Sequence, residues 1–442
     1  MRKRDDFYVN IRRKKYRRNI TGFLVGALVL VAALGAGIWL WDSLREADPI
    51  PDYTVLSAPP ETTVNTQPTE AEAATLPEET VPPTQPDNTV PPEVEMVQTL
   101  LNSMSLEEKI CQLFIVRPED LSDTYPVTQA GEDLDELLNR YPVGGVVFFG
   151  DNIVTPEQCG SLIDSFQEAS RIPLFICVDE EGGIVSRVGS NSAMGTTAFP
   201  DMAQIGLEGD PLAAYRVGHT IGTEIRALGF NLDFAPVADV NTNPDNPIIG
   251  NRAFSSDPET AASMVEACVT GFHDAGMISC LKHFPGHGNT NADSHTGYVS
   301  IDSTLEELSQ VELMPFLKGI EAGAPVVMVG HIACPNITGD ELPASLSPVL
   351  VNELLRQQLG YQGLIITDAM DMSAITDRYT AGEAAVLALQ AGCDLVLIPA
   401  NLDEAVAAVR QAVEDGLFPV ARIDESVLRI LELKASYEIL IP

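Results

Sequence analysis

The sequence predicts a (β/α)8 barrel of the TIM type, an α/β fold, as a single catalytic domain over residues 94–442. Three observations predict it: short apolar runs alternate with longer amphipathic segments, eight such pairs can be counted, and polar residues directly follow several of the apolar runs. In a barrel, the carboxyl ends of the strands form the face that holds the active site. Polar side chains from separate strands are therefore expected to meet there.

The eight predicted strands are short and rich in Val, Ile, Leu and Phe. They lie at residues 113–116, 143–149, 174–178, 230–236, 277–281, 326–330, 364–367 and 395–398. Helices are predicted at 156–170, 212–228, 258–275, 304–322, 347–359, 381–391, 402–414 and 424–437. A doubly wound open sheet is the alternative. It normally has a glycine-rich first turn for phosphate, and residues 114–120 contain no glycine.

The N-terminal region is not expected to belong to the barrel. Residues 1–19 form a predicted cytoplasmic tail with nine Lys or Arg, and residues 20–41 are an uncharged, mostly apolar stretch. As a helix this stretch would be about 33 Å long, enough to cross a bilayer. The basic flank, with the chain's two tryptophans at the other end, predicts a single-pass anchor in the cell membrane and an extracellular domain on the cell-wall side. A cleaved signal peptide is the alternative, but its apolar core is shorter and ends in small residues.

Residues 42–93 are predicted to be a disordered spacer rich in Pro, Thr and Glu. No basic residue occurs between Arg45 and Lys109, and large apolar side chains are few. Such a segment cannot bury a hydrophobic core, and its proline content and acidic charge favour an extended chain. We therefore expect a stalk that holds the domain away from the membrane.

Charge and cysteine content exclude several functions. The net charge of −37 argues against nucleic acid as a partner, because binding to phosphates requires positive charge. The seven cysteines are scattered, and several lie within apolar runs. They are predicted to be small buried core residues, with neither a disulfide framework nor a zinc site.

The densest group of chemically active side chains lies at residues 282–295. The run Lys-His-Phe-Pro-Gly-His-Gly at 282–288 is followed by Asp293, Ser294 and His295, so that this segment holds three of the six histidines. Because proline and glycine break helices, these groups are predicted to lie on a loop that leaves a strand. Other polar residues also follow predicted strands: Asp179, Asp239, His331 and Asp368.

These motifs, together with Asp-Glu-Glu-Gly-Gly at 179–183 and Ile-Ile-Thr-Asp-Ala-Met at 365–370, resemble the bacterial β-N-acetylglucosaminidases of glycoside hydrolase family 3. The resemblance extends over essentially all of residues 94–442, and several motifs agree in order, which makes it specific. It implies a retaining exo-β-N-acetylglucosaminidase that acts on a carbohydrate containing N-acetylglucosamine, with no cofactor and no metal. Peptidoglycan-derived sugars are the expected substrates.

The resemblance also implies roles for individual residues. Asp368 is the expected nucleophile, and His295, paired with Asp293, is the expected general acid and base. Elementary chemistry agrees, because a retaining enzyme needs a carboxylate near the anomeric carbon and a proton donor for the leaving oxygen. A nearby carboxylate can orient an imidazole and favour its protonated form. The resemblance assigns binding of the N-acetylglucosamine unit to Asp179, Arg187, Arg252, Lys282 and His283.

Other interpretations stay open for several residues. Asp368 precedes a predicted helix and fits a helix cap. His287 fits a packed loop histidine, and Asp239 and His331 fit supporting roles. A zinc hydrolase is a further alternative, although the spacing lacks the helical His-Glu-x-x-His arrangement. Its candidate ligands are His283, His287, Asp293 and His295.

Two positions depart from the family pattern. Ile184 stands where many members have arginine, which concerns contacts to the sugar, and Ala369 stands where many have a second aspartate, which concerns hydrogen bonding around Asp368. No second sheet-rich domain is expected after the eighth unit, as in the subgroup whose acid and base come from the histidine loop. A β-glucosidase-like hydrolase of the same fold and a non-catalytic cell-wall-binding domain are the alternative functions. The sequence indicates no oligomeric state.

Overall fold

A computed structural model describes residues 92–122, 124–290, 294 and 297–440. The predicted cytoplasmic tail, the predicted membrane helix at 20–41 and nearly all of the predicted spacer lie outside these residues, and so do Asp293 and His295. Within the described ranges, no helix is both long enough and apolar enough to cross a bilayer.

Eight parallel strands form the predicted barrel. They are β1 (Phe114–Val116), β2 (Gly145–Val147), β3 (Phe175–Val178), β6 (Leu232–Asp233), β7 (Ile278–Phe284), β9 (Val326–Val329), β11 (Leu364–Thr367) and β12 (Val396–Leu397). Four short strands lie outside the barrel: β4 (Glu180–Gly182), β5 (Val185–Ser186), β8 (Val299–Ser300) and β10 (Ile332–Ala333). The first two pair antiparallel, and the last two pair parallel.

The barrel strands follow one another around a nearly closed ring. Neighbouring strands pair in the order β11, β9, β7, β6, β3, β2, β1 and β12. A parallel bridge between Ile366 and Leu395 joins the two ends. All residues of the eight strands are buried, as expected for a parallel sheet covered on the outside by helices. These features agree with the predicted TIM-type barrel and exclude an open doubly wound sheet.

Helices cover the outside of the barrel and alternate with the strands. The longest are Pro92–Ser103, Pro156–Ala169, Pro211–Arg226, Pro258–Asp274, Ala381–Ala391, Leu402–Glu414 and Val420–Ser436. Several begin at the capping residues that the sequence offers, since Thr155, Asp257 and Thr380 each accept a hydrogen bond from a backbone N–H in the first turn. Among the described residues, the helix nearest the N-terminus begins at Pro92, two residues before the predicted start of the domain at 94.

The predicted helix at 304–322 is wrong in one respect, because two helices occupy this region. Leu305–Gln310 and Leu313–Glu321 are separated at Val311, whose φ of −127° and ψ of −77° leave the helical range. The predicted helix at 347–359 forms a π-helix at Val349–Gln358. Neither difference affects the order of the strands.

Strand β7 is longer than predicted, which corrects the expected placement of Lys282 and His283 on a loop. The strand continues to Phe284, which pairs with Val329 of β9 after a shift of register. The carbonyl of Phe284 also accepts a hydrogen bond of 2.8 Å from the backbone N–H of Gly330. Both side chains therefore project from a strand held by its neighbours, and the loop begins at Pro285.

All seven cysteines are buried and unpaired, as predicted. They lie among the apolar side chains that fill the barrel and the layer between its strands and helices. Burial raises the pKa of the Cys111 and Cys159 thiols to about 12, so these groups stay protonated and unreactive at neutral pH.

Candidate active site

A cavity of about 400 Å³ opens at the carboxyl ends of the barrel strands. Six of the eight predicted site residues line it, and they come from separate parts of the chain: Asp179, Arg187, Arg252, Lys282, His283 and Asp368. The other two, Asp293 and His295, lie outside the described residues, so their placement stays a prediction. The barrel therefore gathers in one place the side chains that follow its strands.

A network of four charged side chains forms one wall of the cavity. The Nζ atom of Lys282 lies 2.6 Å from Oδ1 of Asp179 and 2.7 Å from Oε1 of Glu181. Arg252 donates two hydrogen bonds to the same Glu181 carboxylate, from Nε at 2.8 Å and from Nη2 at 2.7 Å. Two cations and two carboxylates thus neutralise one another.

The network stays ionised although Lys282 and Glu181 are almost completely buried. Burial opposes the charge on Glu181, but the Lys282 ammonium and the Arg252 guanidinium outweigh it and lower the pKa of Glu181 to about 2. Burial likewise opposes the charge on Lys282, and Asp179 and Glu181 together raise its pKa above the ordinary value. Strong donors with fixed directions therefore face the cavity at neutral pH.

Asp239 fixes the orientation of His283. Its buried carboxylate accepts a hydrogen bond of 2.7 Å from Nδ1 of His283 and one of 2.6 Å from the backbone N–H of His287. Burial opposes ionisation of Asp239, but His283 and these hydrogen bonds lower its pKa. Nε2 of His283 lies 3.5 Å from Nη2 of Arg252. These contacts agree with the supporting role that was considered for Asp239.

Asp368 directly follows β11. Its backbone N–H donates a hydrogen bond of 2.9 Å to the carbonyl of Val329, and Oδ1 accepts one of 2.8 Å from the N–H of Ala369. The next helix, Ser373–Thr376, has Met372 as its N-terminal cap residue, so Asp368 is not the helix cap that the sequence also allowed. Its carboxylate is half-buried and lines the cavity.

His331 holds the backbone next to Asp368. Its Nε2 donates a hydrogen bond of 2.9 Å to the carbonyl of Ala369, and its Nδ1 lies 2.8 Å from the hydroxyl of Ser345. Both ring nitrogens are thus engaged, and the side chain is buried. The structure supports the supporting role considered for His331.

Arg187 reaches the cavity from a turn organised by one carboxylate. Glu180 accepts hydrogen bonds from the backbone N–H groups of Arg187 at 2.7 Å, Val188 at 2.7 Å and Gly189 at 3.0 Å. The guanidinium of Arg187 lies over the ring of Phe149, with its carbon 5.8 Å from the ring centroid. Its buried Nε has no hydrogen-bond partner among the described residues.

Several cavity residues were not predicted. Glu181 belongs to the same Asp-Glu-Glu run as Asp179 and lies two residues after it. This closeness to a predicted site residue was the signal in the sequence that could have identified Glu181. Arg117 directly follows β1 and forms an ion pair of 2.8 Å with Asp371 at the cavity lining. The same rule that singled out polar residues after strands would have found it. Ile184, the departure from the family pattern, also lines the cavity and is 69% exposed, so it belongs to the mouth.

The two described candidates for zinc ligands, His283 and His287, have hydrogen-bond partners within the protein. Among the described residues, no group of three or more His, Cys, Asp or Glu side chains is arranged to hold a metal ion. Two of the four candidate ligands, Asp293 and His295, are not described. His283 and His287 are engaged through Asp239, Thr290 and Ser294 instead.

The chain belongs to glycosyl hydrolase family 3. The model of the N-terminal domain of this family matches residues 105–433, most of the predicted domain. The family predicted from the motifs is therefore confirmed.

Beta-hexosaminidases and a β-N-acetylglucosaminidase are among the relatives and solved structures to which this chain is similar. Beta-hexosaminidase A of Pseudoalteromonas piscicida is 36% identical over 337 residues, covering 70% of this chain and 56% of that protein. Beta-hexosaminidase LpqI of Mycobacterium tuberculosis is 37% identical over 344 residues, covering 75% of this chain and 83% of that protein. The family 3 β-N-acetylglucosaminidase structure from Paenibacillus sp. str. FPU-7 has a TM-score of 0.72 at 37% identity, covering 76% of this chain and 63% of that one. This chain thus spans little more than half the length of the Pseudoalteromonas piscicida protein.

Replacement of Glu181 by glutamine tests the charge network. The variant leaves Lys282 and Arg252 buried without their shared anion, and loss of one member of a buried ion pair costs about 3 to 5 kcal/mol. We expect a loss of unfolding free energy of this order and weaker binding of N-acetylglucosamine, measured by urea denaturation and calorimetry. Glu321→Gln is the matched control, because Glu321 pairs with Lys318 at the surface and should contribute little.

The same network predicts a pH dependence. The pKa of Glu181 is about 2 in the folded protein, against an ordinary value of 4.5. Its contribution to stability is therefore fully present above pH 4.5 and is lost as the pH falls towards 2. The difference in unfolding free energy between wild type and Glu181→Gln should shrink over that window. A difference that stays constant would show that Glu181 is not the ionised centre of the network.

Proposed function

We propose that this domain is a retaining exo-β-N-acetylglucosaminidase that hydrolyses terminal β-linked N-acetylhexosamine residues. The observation that carries the proposal is the meeting, in one cavity at the carboxyl face of the barrel, of the strand-end carboxylate Asp368 with a fixed set of charged hydrogen-bond groups. Relatives that are called beta-hexosaminidases support the substrate class.

The cavity lining offers the two kinds of group that a sugar needs. Asp179, Arg252 and Lys282 present directional hydrogen-bonding groups to hydroxyl and amide groups. Apolar side chains supply a surface for ring carbons and a methyl group: Val147, Phe234, Met328 and Leu397.

In the proposed reaction, an oxygen of Asp368 attacks the anomeric carbon while the bond to the leaving oxygen breaks. His295 gives its proton to that oxygen, and a covalent glycosyl ester forms on Asp368. In the second step His295 takes a proton from water, the water oxygen attacks the anomeric carbon, and Asp368 departs as a carboxylate. Two inversions give net retention. Asp293 orients the imidazole and favours its protonated form.

Substitutions at Asp368 and His295 should have different effects, because the residues act in different steps. Asp368→Asn removes the attacking group, so activity on all substrates should be lost, whatever their leaving group. His295→Ala removes the proton donor, typically worth about 10²- to 10⁴-fold. Cleavage of a sugar leaving group should fall by this order, whereas a dinitrophenyl glycoside should still form the ester and then stall. Azide, which needs no base, should restore its turnover and give the β-glycosyl azide.

Kinetics on two N-acetyl-β-glucosaminides, one with a sugar leaving group and one with a dinitrophenyl leaving group, measure this difference. The matching glucosides are the control for sugar specificity, and their faster turnover would favour the β-glucosidase alternative. Binding without turnover by the wild type would favour the wall-binding alternative. An equal loss of activity on both substrates in His295→Ala, with no rescue by azide, would contradict the assignment of His295 as acid and base. Inactivation by a chelator would favour the zinc alternative.

We also propose that the enzyme is anchored in the cell membrane and acts on peptidoglycan-derived sugars outside the cell. The basic residues before position 20, the apolar stretch at 20–41 and the acidic, proline-rich segment that follows support this proposal.

A protease added to intact cells should release an active fragment, because an unpacked spacer is easily cut. The new N-terminus of the fragment, read by mass spectrometry, should lie within residues 42–93. Cleavage that requires lysis of the cells would contradict the surface location.

A further inference from the structure

His287 has no role in the reaction described above, yet all of its polar atoms are engaged and it is almost completely buried. Its backbone N–H donates to Asp239 at 2.6 Å, its Nδ1 lies 2.7 Å from the hydroxyl of Thr290, and its Nε2 lies 3.0 Å from the hydroxyl of Ser294. Any buried imidazole needs hydrogen-bond partners, so what matters here is which groups the partners belong to. The set connects a residue that supports the sugar site with the segment that carries the predicted acid.

The directions of these hydrogen bonds follow from the hydroxyl of Thr290. This hydroxyl donates its single proton to the carbonyl of His287 at 3.0 Å, so Nδ1 must donate to the Thr290 oxygen. A neutral imidazole with its proton on Nδ1 has an acceptor at Nε2. Ser294 therefore donates its hydroxyl proton to His287. Burial and the neighbouring His283 lower the pKa of His287, consistent with a neutral ring.

Ser294 is the covalent neighbour of both Asp293 and His295. It is buried, and its carbonyl accepts a hydrogen bond of 3.3 Å from the backbone N–H of Ala374, which lies after β11. Consecutive Cα atoms are about 3.8 Å apart, so Ser294 is the described position nearest along the chain to both of these predicted residues. The side chain and the backbone of Ser294 attach this residue to two different parts of the barrel face.

The other end of the connection is equally constrained. Asp239 holds the backbone of His287 and the imidazole of His283 with the same carboxylate. Next to His287, a Cβ atom on Gly288 would lie 1.8 Å from the carbonyl oxygen of Val240, so this loop packs directly on the chain after Asp239. His287 is therefore placed with respect to the sugar site, and Ser294 is placed with respect to His287.

We propose that His287 is a positioning residue that acts through the hydroxyl of Ser294, the covalent neighbour of the predicted general acid His295. This inference rests on the proposed function and on the role of His295 as general acid. It assigns to the second histidine of the Lys-His-Phe-Pro-Gly-His-Gly run a task separate from sugar binding. It predicts that the His287–Ser294 hydrogen bond matters only where the leaving group needs a proton.

Ser294→Ala and His287→Ala remove this hydrogen bond from its two ends. For both variants, kcat/KM on N,N′-diacetylchitobiose should fall by about 10- to 100-fold, part of the value of general acid catalysis. On the dinitrophenyl N-acetyl-β-glucosaminide it should change by less than about threefold, because kcat/KM reports only steps up to ester formation, where this leaving group needs no proton. The double variant should be no worse than the more impaired single variant. Thermal unfolding checks that each protein folds, and Ser294→Ala carries the test if His287→Ala does not.

Ser345→Ala is the matched control. Ser345 is also a buried serine bonded to a histidine ring, but His331 acts on the backbone beside Asp368, so this variant should affect both substrates alike. In a His295→Ala background, Ser294→Ala should cause no further loss on chitobiose.

Three results for Ser294→Ala would each overturn the positioning role while leaving the proposed function intact. They are an equal loss of kcat/KM on both substrates, no loss of kcat/KM on chitobiose, and a further loss on chitobiose in the His295→Ala background. A wild-type protein that cleaves neither substrate would overturn the proposed function and this inference with it.

Discussion

The Lys282 ammonium, buried between the carboxylates of Asp179 and Glu181, is the interaction on which the site depends. A charge with so little access to water is tolerable only when it is paired and hydrogen-bonded. The pairing joins the end of β7 to the segment after β3, and Arg252 joins a third segment to the same Glu181 carboxylate. The requirement for neutrality thus fixes the relative positions of three segments, and the charged wall of the cavity follows from it.

The two predicted catalytic groups lie on different segments around this wall. The proposed nucleophile Asp368 ends β11, and His331 holds the backbone beside it. The predicted acid lies on the segment after β7, which Asp239, His287 and Ser294 attach to the barrel face. The two segments meet where the backbone N–H of Ala374, which follows β11, donates to the carbonyl of Ser294.

Much of this arrangement could be predicted from the sequence. The apolar runs that alternate with amphipathic segments predict the eight strands, because parallel strands are buried on both faces. The rule that active sites lie at the carboxyl ends of strands identifies Asp179, Asp239 and Asp368. The extension of β7 to Phe284 could not be predicted, because it depends on the register with β9. The partners of Glu181 also come from distant parts of the chain. Ile398 lines the cavity with a φ of 45°, a costly conformation for a β-branched residue that no local pattern indicates.

The central claim is that Asp368 forms a covalent bond with the sugar during the reaction, and mass spectrometry of a trapped intermediate tests it most directly. The wild-type protein would be incubated with a 5-fluoro-N-acetyl-β-glucosaminyl fluoride, whose ester breaks down slowly, and then digested and sequenced by tandem mass spectrometry. The account predicts one glycosyl label per chain, on Asp368. A label on another carboxylate, such as the neighbouring Asp371, or turnover with no labelled peptide, would contradict it.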